Sequence, residues 1–386
     1  MATGYGALAL YVPTVIAPLL LAEFGWSKAD FALVSALGIS ASLCMPFVGR
    51  LTDVLGVRGT ALIGLIGLPV AFLAYAMMTG PIWQYVVIYV IQTVLCITTT
   101  ATVYSRIPVQ YIQRARGFAL AIVASGPALT GAIGSPILNA FVENHGWRAG
   151  FYAMAAFCAV SAVITLLLLP SEKRPAGTPR PRRRAREDYP AIFRTHAFWI
   201  LIGAMLLCNL PQIIALSQLK LILLDNGVTP RGAAVMLSSF AMGTLAGRFL
   251  AGLALDRFPA HVVGLVCMGL PSVGLVILAS PFDAPTVLTL AVLCIGFSFG
   301  AEGDIAAYIV SRKFPVAVFS SVMGLVTMAM SASSASGAAL LSFTLTATGG
   351  FNLFMAISAA AVFAGSMMFL LLADRHQAGA FDGAGR

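Results

Sequence analysis

The sequence predicts an all-α membrane protein: twelve transmembrane helices in two pseudo-symmetric six-helix bundles. Three observations carry that prediction, namely the composition, the spacing of the apolar runs and an internal repeat about a basic linker. Of 386 residues, 59% are apolar and 10% charged, with a mean hydropathy of +0.93; a soluble domain holds about a quarter charged residues. The apolar residues fall in runs of roughly 18 to 25, the length that crosses a hydrocarbon core of about 30 Å as a helix. Lipid cannot satisfy an open strand edge, so helices are the expected element.

The first span is read from Gly4 to Ala22. Nothing before it is positively charged, so it is not read as a secretory signal, and its short lead leaves open a start upstream of Met1. Punctuation places the next five spans at 30–48, 59–79, 82–105, 117–140 and 149–169. The second six are placed at 197–222, 232–255, 262–280, 285–310, 315–345 and 351–373. The bundles are therefore expected at 1–169 and 197–375, with a tail at 376–386. Between them, 170–196 contains Pro179-Arg180-Pro181-Arg182-Arg183-Arg184-Ala185-Arg186. Proline and like charges predict a solvated linker with no core of its own, and a topological rather than nucleic-acid-binding role.

On this placement most of the 23 lysines and arginines share one side, including Arg50, Arg58, Arg114, Arg116, the linker cluster, Arg257, Arg312 and Lys313. Lys28, Arg148 and Arg231 face the other. The basic side is predicted to be cytoplasmic, which puts both termini inside a multi-pass protein of the cell's inner (plasma) membrane. The net charge of +9 then follows largely from topology.

The six cysteines lie inside apolar runs with no paired spacing and read as small buried hydrophobes. His145, His196, His261 and His376 sit in loops or tails without ligand spacing. Neither a metal, a cofactor nor an enzyme's nucleophile and base is predicted.

Six spans precede the linker and six follow it. Trp26-Ser27-Lys28, a span and Gly49-Arg50-Leu51-Thr52-Asp53 find an echo in Val228-Thr229-Pro230, a span and Gly252-Leu253-Ala254-Leu255-Asp256-Arg257. Two homologous halves are the build of many carriers, with the substrate site near the midplane.

Gly49-Arg50-Leu51-Thr52-Asp53-Val54-Leu55-Gly56-Val57-Arg58 resembles the loop signature of the major facilitator superfamily, G-x-L-x-D-R-x-G-R-R, with Val54 and Val57 replacing two basic residues. Gly49, Asp53, Gly56 and Arg58 are accordingly assigned to a conformational loop: Asp53 to cap a helix N-terminus and Gly56 to permit a tight turn. Phe24-Gly25-Trp26-Ser27, Arg116-Gly117, Gly146-Trp147-Arg148 and Gly247-Arg248-Phe249-Leu250-Ala251-Gly252 resemble the bacterial monocarboxylate and oxalate/formate branch. The resemblance covers essentially the whole chain and implies the major facilitator fold and carriage of a small organic carboxylate by alternating access.

Ionisable residues within spans are costly and are read as functional. Arg248 precedes Asp256 by two turns, which places it about 12 Å inside the boundary. In the resembling branch the matching arginine holds the substrate carboxylate, a role suited to a planar fork of paired donors. Arg106 is the first-half candidate, with a surface-reaching alternative. Glu302 and Asp304 are expected at the depth of Arg248, pointing about 200° apart, so that one lines the cavity and the other packs between helices. Low dielectric favours a neutral carboxyl and an arginine partner favours the charged form. Substrate on Arg248 would then free the acid to take a proton, with Glu302 as the first candidate. Tyr11, Gln92, Asn209, Gln212 and Tyr308 complete the predicted substrate cavity, each with helix-to-helix hydrogen bonding as its alternative.

The expected partners are thus a small organic anion, protons or a counter-anion, and the bilayer, with a monomer as the expected state. The alternative readings are a drug or metabolite exporter of the same superfamily, a solute-sensing membrane receptor, a channel and a membrane enzyme. Two arginines in the cavity favour the anion.

Overall fold

The computed structural model describes residues 3–27, 31, 40–169, 185–281 and 284–373. Among them are helices and turns and no strand. Lys28, the start of the second predicted span, the linker up to residue 184 and the tail at 376–386 lie outside the described residues.

The chain divides into two compact units. Unit 1 comprises Met1–Gln110, Val123–Arg183 and Val316–Leu325. Its first helix, α1 (Tyr5–Phe24), ends at Gly25, which adopts φ 66° and returns its N–H to Leu21 O, a left-handed stop that glycine makes without steric cost. Helix α2 (Ser40–Ala76) joins the second and third predicted spans and is divided at Gly56, with φ 78° and ψ 170°. The predicted loop at 49–58 is therefore helical apart from this one residue, and Gly49 and Asp53 sit on a helix rather than in a loop.

The fourth span was expected as one helix. Instead α3 (Ile82–Cys96) passes into a 3-10 turn (Ile97–Thr99) and an extended Thr100 before α4 (Ala101–Tyr104) and α5 (Arg106–Tyr111). The hydroxyls of Thr98, Thr99 and Thr100 each donate at 2.7 Å to the carbonyl three residues back. Side chains that bond to nearby backbone in this way compete with the helical ladder and tighten it. Helix α6 (Arg116–Leu168) carries the fifth and sixth spans and is divided at Gly146, with φ 80°. Unit 1 has a core rich in aromatic residues: Tyr75 lies against Tyr85 and Phe151, and Phe151 against Trp147.

Unit 2 comprises Tyr111–Ile122, Arg184–Pro315 and Val326–Arg386. It begins its second segment with α7 (Ala185–Arg194), which lies inside the predicted solvated linker. Glu187 and Asp188 in its first turn and Arg194 in its last suit the helix dipole. Its apolar side is anchored by fully buried Ile192 and by Phe193, packed edge-on to Phe198. The chain then bends by 74° into α8 (His196–Cys208).

The seventh span is also broken. After α8 come turns around Pro211, a π-helical segment (Ile214–Gln218) and α9 (Leu219–Asp225). Pro211 lacks the N–H that a continuous ladder needs. Helix α10 (Pro230–Arg257) starts with Pro230 in its first turn and with Thr229 accepting the Gly232 N–H at 3.2 Å. It is followed by α11 (Ala260–Ala279), α12 (Pro285–Lys313), a 3-10 turn (Val316–Val318), α13 (Phe319–Thr348), α14 (Asn352–Met368) and a 3-10 turn (Phe369–Leu372).

Among the described residues nine helices are long and apolar enough to cross a membrane. Two of them contain two spans each, divided at Gly56 and Gly146, and α7 with α8, which pass the same test together across their 74° bend, supply one more, consistent with twelve crossings. Large apolar side chains face outward, among them Phe47 at 75%, Leu167 at 79% and Phe343 at 70% exposure. Lipid is the solvent that such a surface requires.

Candidate functional site

In unit 2, α10 and α12 meet along a seam of four glycines spaced by one turn, Gly243 and Gly247 on one helix and Gly296 and Gly300 on the other. A Cβ on Gly247 would stand 1.9 Å from Phe297 O, and one on Gly300 1.9 Å from Thr244 O. Neither space admits a methyl group. Small residues at turn spacing allow such close approach of two membrane helices. The approach fixes Arg248, one residue past the seam on α10, beside the acids that follow Gly300 on α12.

Arg248 Nη1 lies 4.0 Å from Asp304 Oδ2, with the arginine side chain 22% exposed and the aspartate 4%. This is an ion pair with a gap, since 4.0 Å exceeds hydrogen-bond length. Asp304 Oδ2 is buried and makes no hydrogen bond of its own. Glu302, half-buried, accepts at 3.1 Å from Gln212 Nε2 at the break in the seventh span. Asn209, at the same break, is buried; its amide donates to Met205 O at 3.0 Å and its Oδ1 has no partner. The two acids thus diverge along α12 as their spacing requires, one toward α10 and the other toward the seventh span.

A second arrangement occurs twice, once in each unit. In unit 1, Asp53 accepts the backbone N–H groups of Ser320 at 3.1 Å and Ser321 at 2.7 Å, at the start of α13. In unit 2, Asp256 accepts those of Gly117 at 2.8 Å and Phe118 at 3.0 Å, at the start of α6. Each acid sits four residues after a glycine that touches the clamped helix: a Cβ on Gly49 would meet Ser320 O, and one on Gly252 would meet Gly117 O. The first turn of a helix presents unpaired N–H groups and a partial positive charge, so a carboxylate is its natural cap.

Arg106 belongs to the unit 1 clamp. It is buried, at 7% exposure, and its Nη1 donates to Asp53 Oδ1. It neither reaches the surface nor stands open in a cavity, as the sequence reading allowed, because Asp53 lies at the same level of the bundle. Arg58 is exposed.

Residues 1–338 match the profile of the Major Facilitator Superfamily. The chain belongs to that superfamily. Among curated relatives, bovine Monocarboxylate transporter 13 is 25% identical over 72% of this chain and 64% of its own length. The rat Monocarboxylate transporter 13 is 23% identical over 91% of this chain and 82% of its own. Human Monocarboxylate transporter 11 is 24% identical over 92% and 77%. The fold matches that of the E. coli fucose:proton symporter FucP, with a TM-score of 0.77, 14% identity and 97% of each chain covered. A structure of FucP in the outward conformation matches equally well. The protein is therefore a major facilitator transporter related to monocarboxylate transporters, as the resemblance of its motifs implied.

Within this superfamily member the predicted residues separate into groups. Arg248, Asp304, Glu302 and Gln212 come together in unit 2, with Asn209 at the adjoining break. Gln92 accepts from Tyr75 OH at 3.2 Å, the helix-to-helix alternative. Tyr11 is buried against Gly134 beside an apolar recess. Tyr308 lies toward the basic end of α12, on the wall of a different cavity. The sequence reading missed Asp256 as a clamp, although the echo of Gly49–Asp53 in Gly252–Asp256 was its signal.

Proposed function

We propose that this protein is a secondary active transporter that moves a small organic carboxylate by alternating access, coupled to protons or to exchange of another anion. The observation that carries this reading is Arg248: a guanidinium inside the membrane, part-exposed, and 4.0 Å from its nearest acid rather than bonded to it. An arginine fork in that position can accept a carboxylate through two parallel hydrogen bonds. The relationship to monocarboxylate transporters supports the same class of cargo.

In this reading the substrate anion competes with Asp304 for Arg248. Desolvating two anions beside one cation is unfavourable, so substrate entry favours protonation of Asp304 or Glu302. Gln212 holds Glu302 in place while the charge changes. Asp53, with Gly49, Gly56 and Arg58 around it, forms a latch on the start of α13 that opens and re-forms during the cycle, and Arg106 keeps the latch charge-balanced. The basic helix ends face the cytoplasm, following the bias of lysine and arginine.

Uptake into proteoliposomes tests the reading. Labelled mono- and dicarboxylates should show saturable uptake and counterflow, dependent on a pH gradient or an internal anion. Transport of cationic drugs with no carboxylate transport would overturn it.

A further inference from the structure

A cavity of about 270 Å³ lies at the basic end of unit 2, apart from Arg248 and its acids. Four stretches of chain build it: the turn from α10 into α11, the last turns of α12, the first residue of α6 and, through Leu372, the 3-10 turn after α14. They contribute His261, then Arg312 and Lys313, then Arg116, with Tyr308 and Ser311 between them. Among the described residues no Asp or Glu lines it. Asp256, which ends α10 nearby, is committed to the N–H groups of Gly117 and Phe118.

The positive-inside bias explains basic residues at helix ends. It does not explain their convergence on one concave space from elements far apart in sequence. Arg116 is held toward the cavity: its Nη1 donates to Ser311 Oγ and its Nε to Ile112 O, both at 3.2 Å. That leaves further guanidinium N–H groups to donate. Arg312 is exposed at the end of α12, and Phe258 stands 61% exposed among the lining residues.

We infer that this cavity is a binding site for the phosphodiester headgroup of an anionic phospholipid. Arginine, lysine and a protonatable ring at one point make a phosphate site, and basic pockets between transmembrane helices take anionic headgroups. The cavity lies at the ends of membrane helices, the level of the headgroup layer. Exposed Phe258 offers apolar contact to the acyl chains of a lipid, which a free anion would not use. A headgroup held there bridges Arg116 at the start of α6 to α12, and so reinforces the helix end that Asp256 clamps. The inference does not depend on the identity of the transported solute.

The test uses the full-length protein in a mild non-ionic detergent, with thermal unfolding as the readout. Dihexanoyl-phosphatidylglycerol should raise the melting temperature in a saturable way, whereas dihexanoyl-phosphatidylcholine and inorganic phosphate at the same concentration should not. Arg312→Gln and Lys313→Gln should each raise the half-effect concentration about fivefold, the weight of one basic charge against an anionic headgroup. His261→Gln provides a variant without a lost fixed charge and should also weaken the effect. Arg231→Gln, at the opposite end of α10, should leave it unchanged. Equal stabilisation by the zwitterionic lipid, or a wild-type response in Arg312→Gln and His261→Gln, would overturn the site. A matching response to inorganic phosphate would overturn the lipid assignment.

Discussion

The carboxylate of Asp53 accepts the backbone N–H of Ser321 at 2.7 Å, tying the end of one membrane helix to the start of another 268 positions later in the chain. Its other oxygen takes the N–H of Ser320 and the guanidinium of Arg106. Asp53→Asn leaves Arg106 buried without a counter-charge, and removing one partner of a buried pair costs about 3–5 kcal/mol. The melting temperature in detergent should fall steeply in Asp53→Asn, and Arg106→Met should restore part of the loss in the double variant. Strictly additive effects of the two substitutions would show that the pair is not coupled.

Arg248→Lys should lose most transport while keeping its charge. A point ammonium cannot reproduce two parallel bonds to a carboxylate, and the lost charged hydrogen bond is worth about 1.5–3 kcal/mol, or at least about tenfold in initial uptake. Near-normal uptake by correctly inserted Arg248→Lys or Arg248→Ala protein would remove the arginine from the substrate site.

Glu302→Gln and Asp304→Asn should separate two activities. If either acid carries the coupling proton, its amide variant loses accumulation against a gradient but still exchanges bound substrate across the membrane. Net uptake by the wild type should rise as the outer solution is acidified, and the responsible variant should lose that dependence. An unchanged pH profile in both variants assigns coupling to another group or to anion exchange.

The glycine seam sets a steric prediction. Gly247→Ala and Gly300→Ala force a methyl into backbone oxygens of the facing helix, and overpacking of this kind costs about 1–3 kcal/mol. Both should lower the melting temperature, whereas Gly303→Ala, whose Cβ would meet nothing within 4 Å, should not. Equal effects at all three positions would refute the close packing.

A cysteine at position 185 reports orientation. In a background lacking part-exposed Cys44 and Cys294, Ala185→Cys should react with a membrane-impermeant maleimide only after the cells are opened. Labelling in sealed cells would reverse the topology.

The spans themselves were legible because composition alone separates a bilayer helix from everything else in this chain. The breaks were less so. Thr98 to Thr100 fall inside the predicted fourth span at 82–105, and the hydroxyl geometry that turns them out of α-helix leaves no periodic trace. Helix α7 was obscured by the arginines before it, although acids at its start, Arg194 at its end and apolar Ile192 and Phe193 mark a short amphipathic helix. Arg248 and the two acids could be picked out by their cost in lipid, but the partner of Arg106 could not. Asp53 read as a helix cap, and nothing local ties it to Ser320 or Ser321. The glycines that seat Arg248 were visible as a spacing on each helix, whereas their mutual contact depends on tertiary packing.

The π-helical turn at Ile214–Gln218 has a different kind of consequence. A π-turn holds one residue more than an α-turn, so it behaves as a one-residue insertion absorbed without interrupting the helix. Deleting one residue from 214–218 would let the segment close into α-helix with the register downstream unchanged, whereas relaxing it into α-helix with all its residues kept would swing everything from Leu219 onward by about 100° about the axis. With all residues present, the buried faces of Leu219, Ile222 and Leu223 are in register with their neighbours only while the extra residue stays in the wide π-turn. The seventh span thus carries a local frame shift, and its two ends can be turned relative to each other by relaxing a single turn.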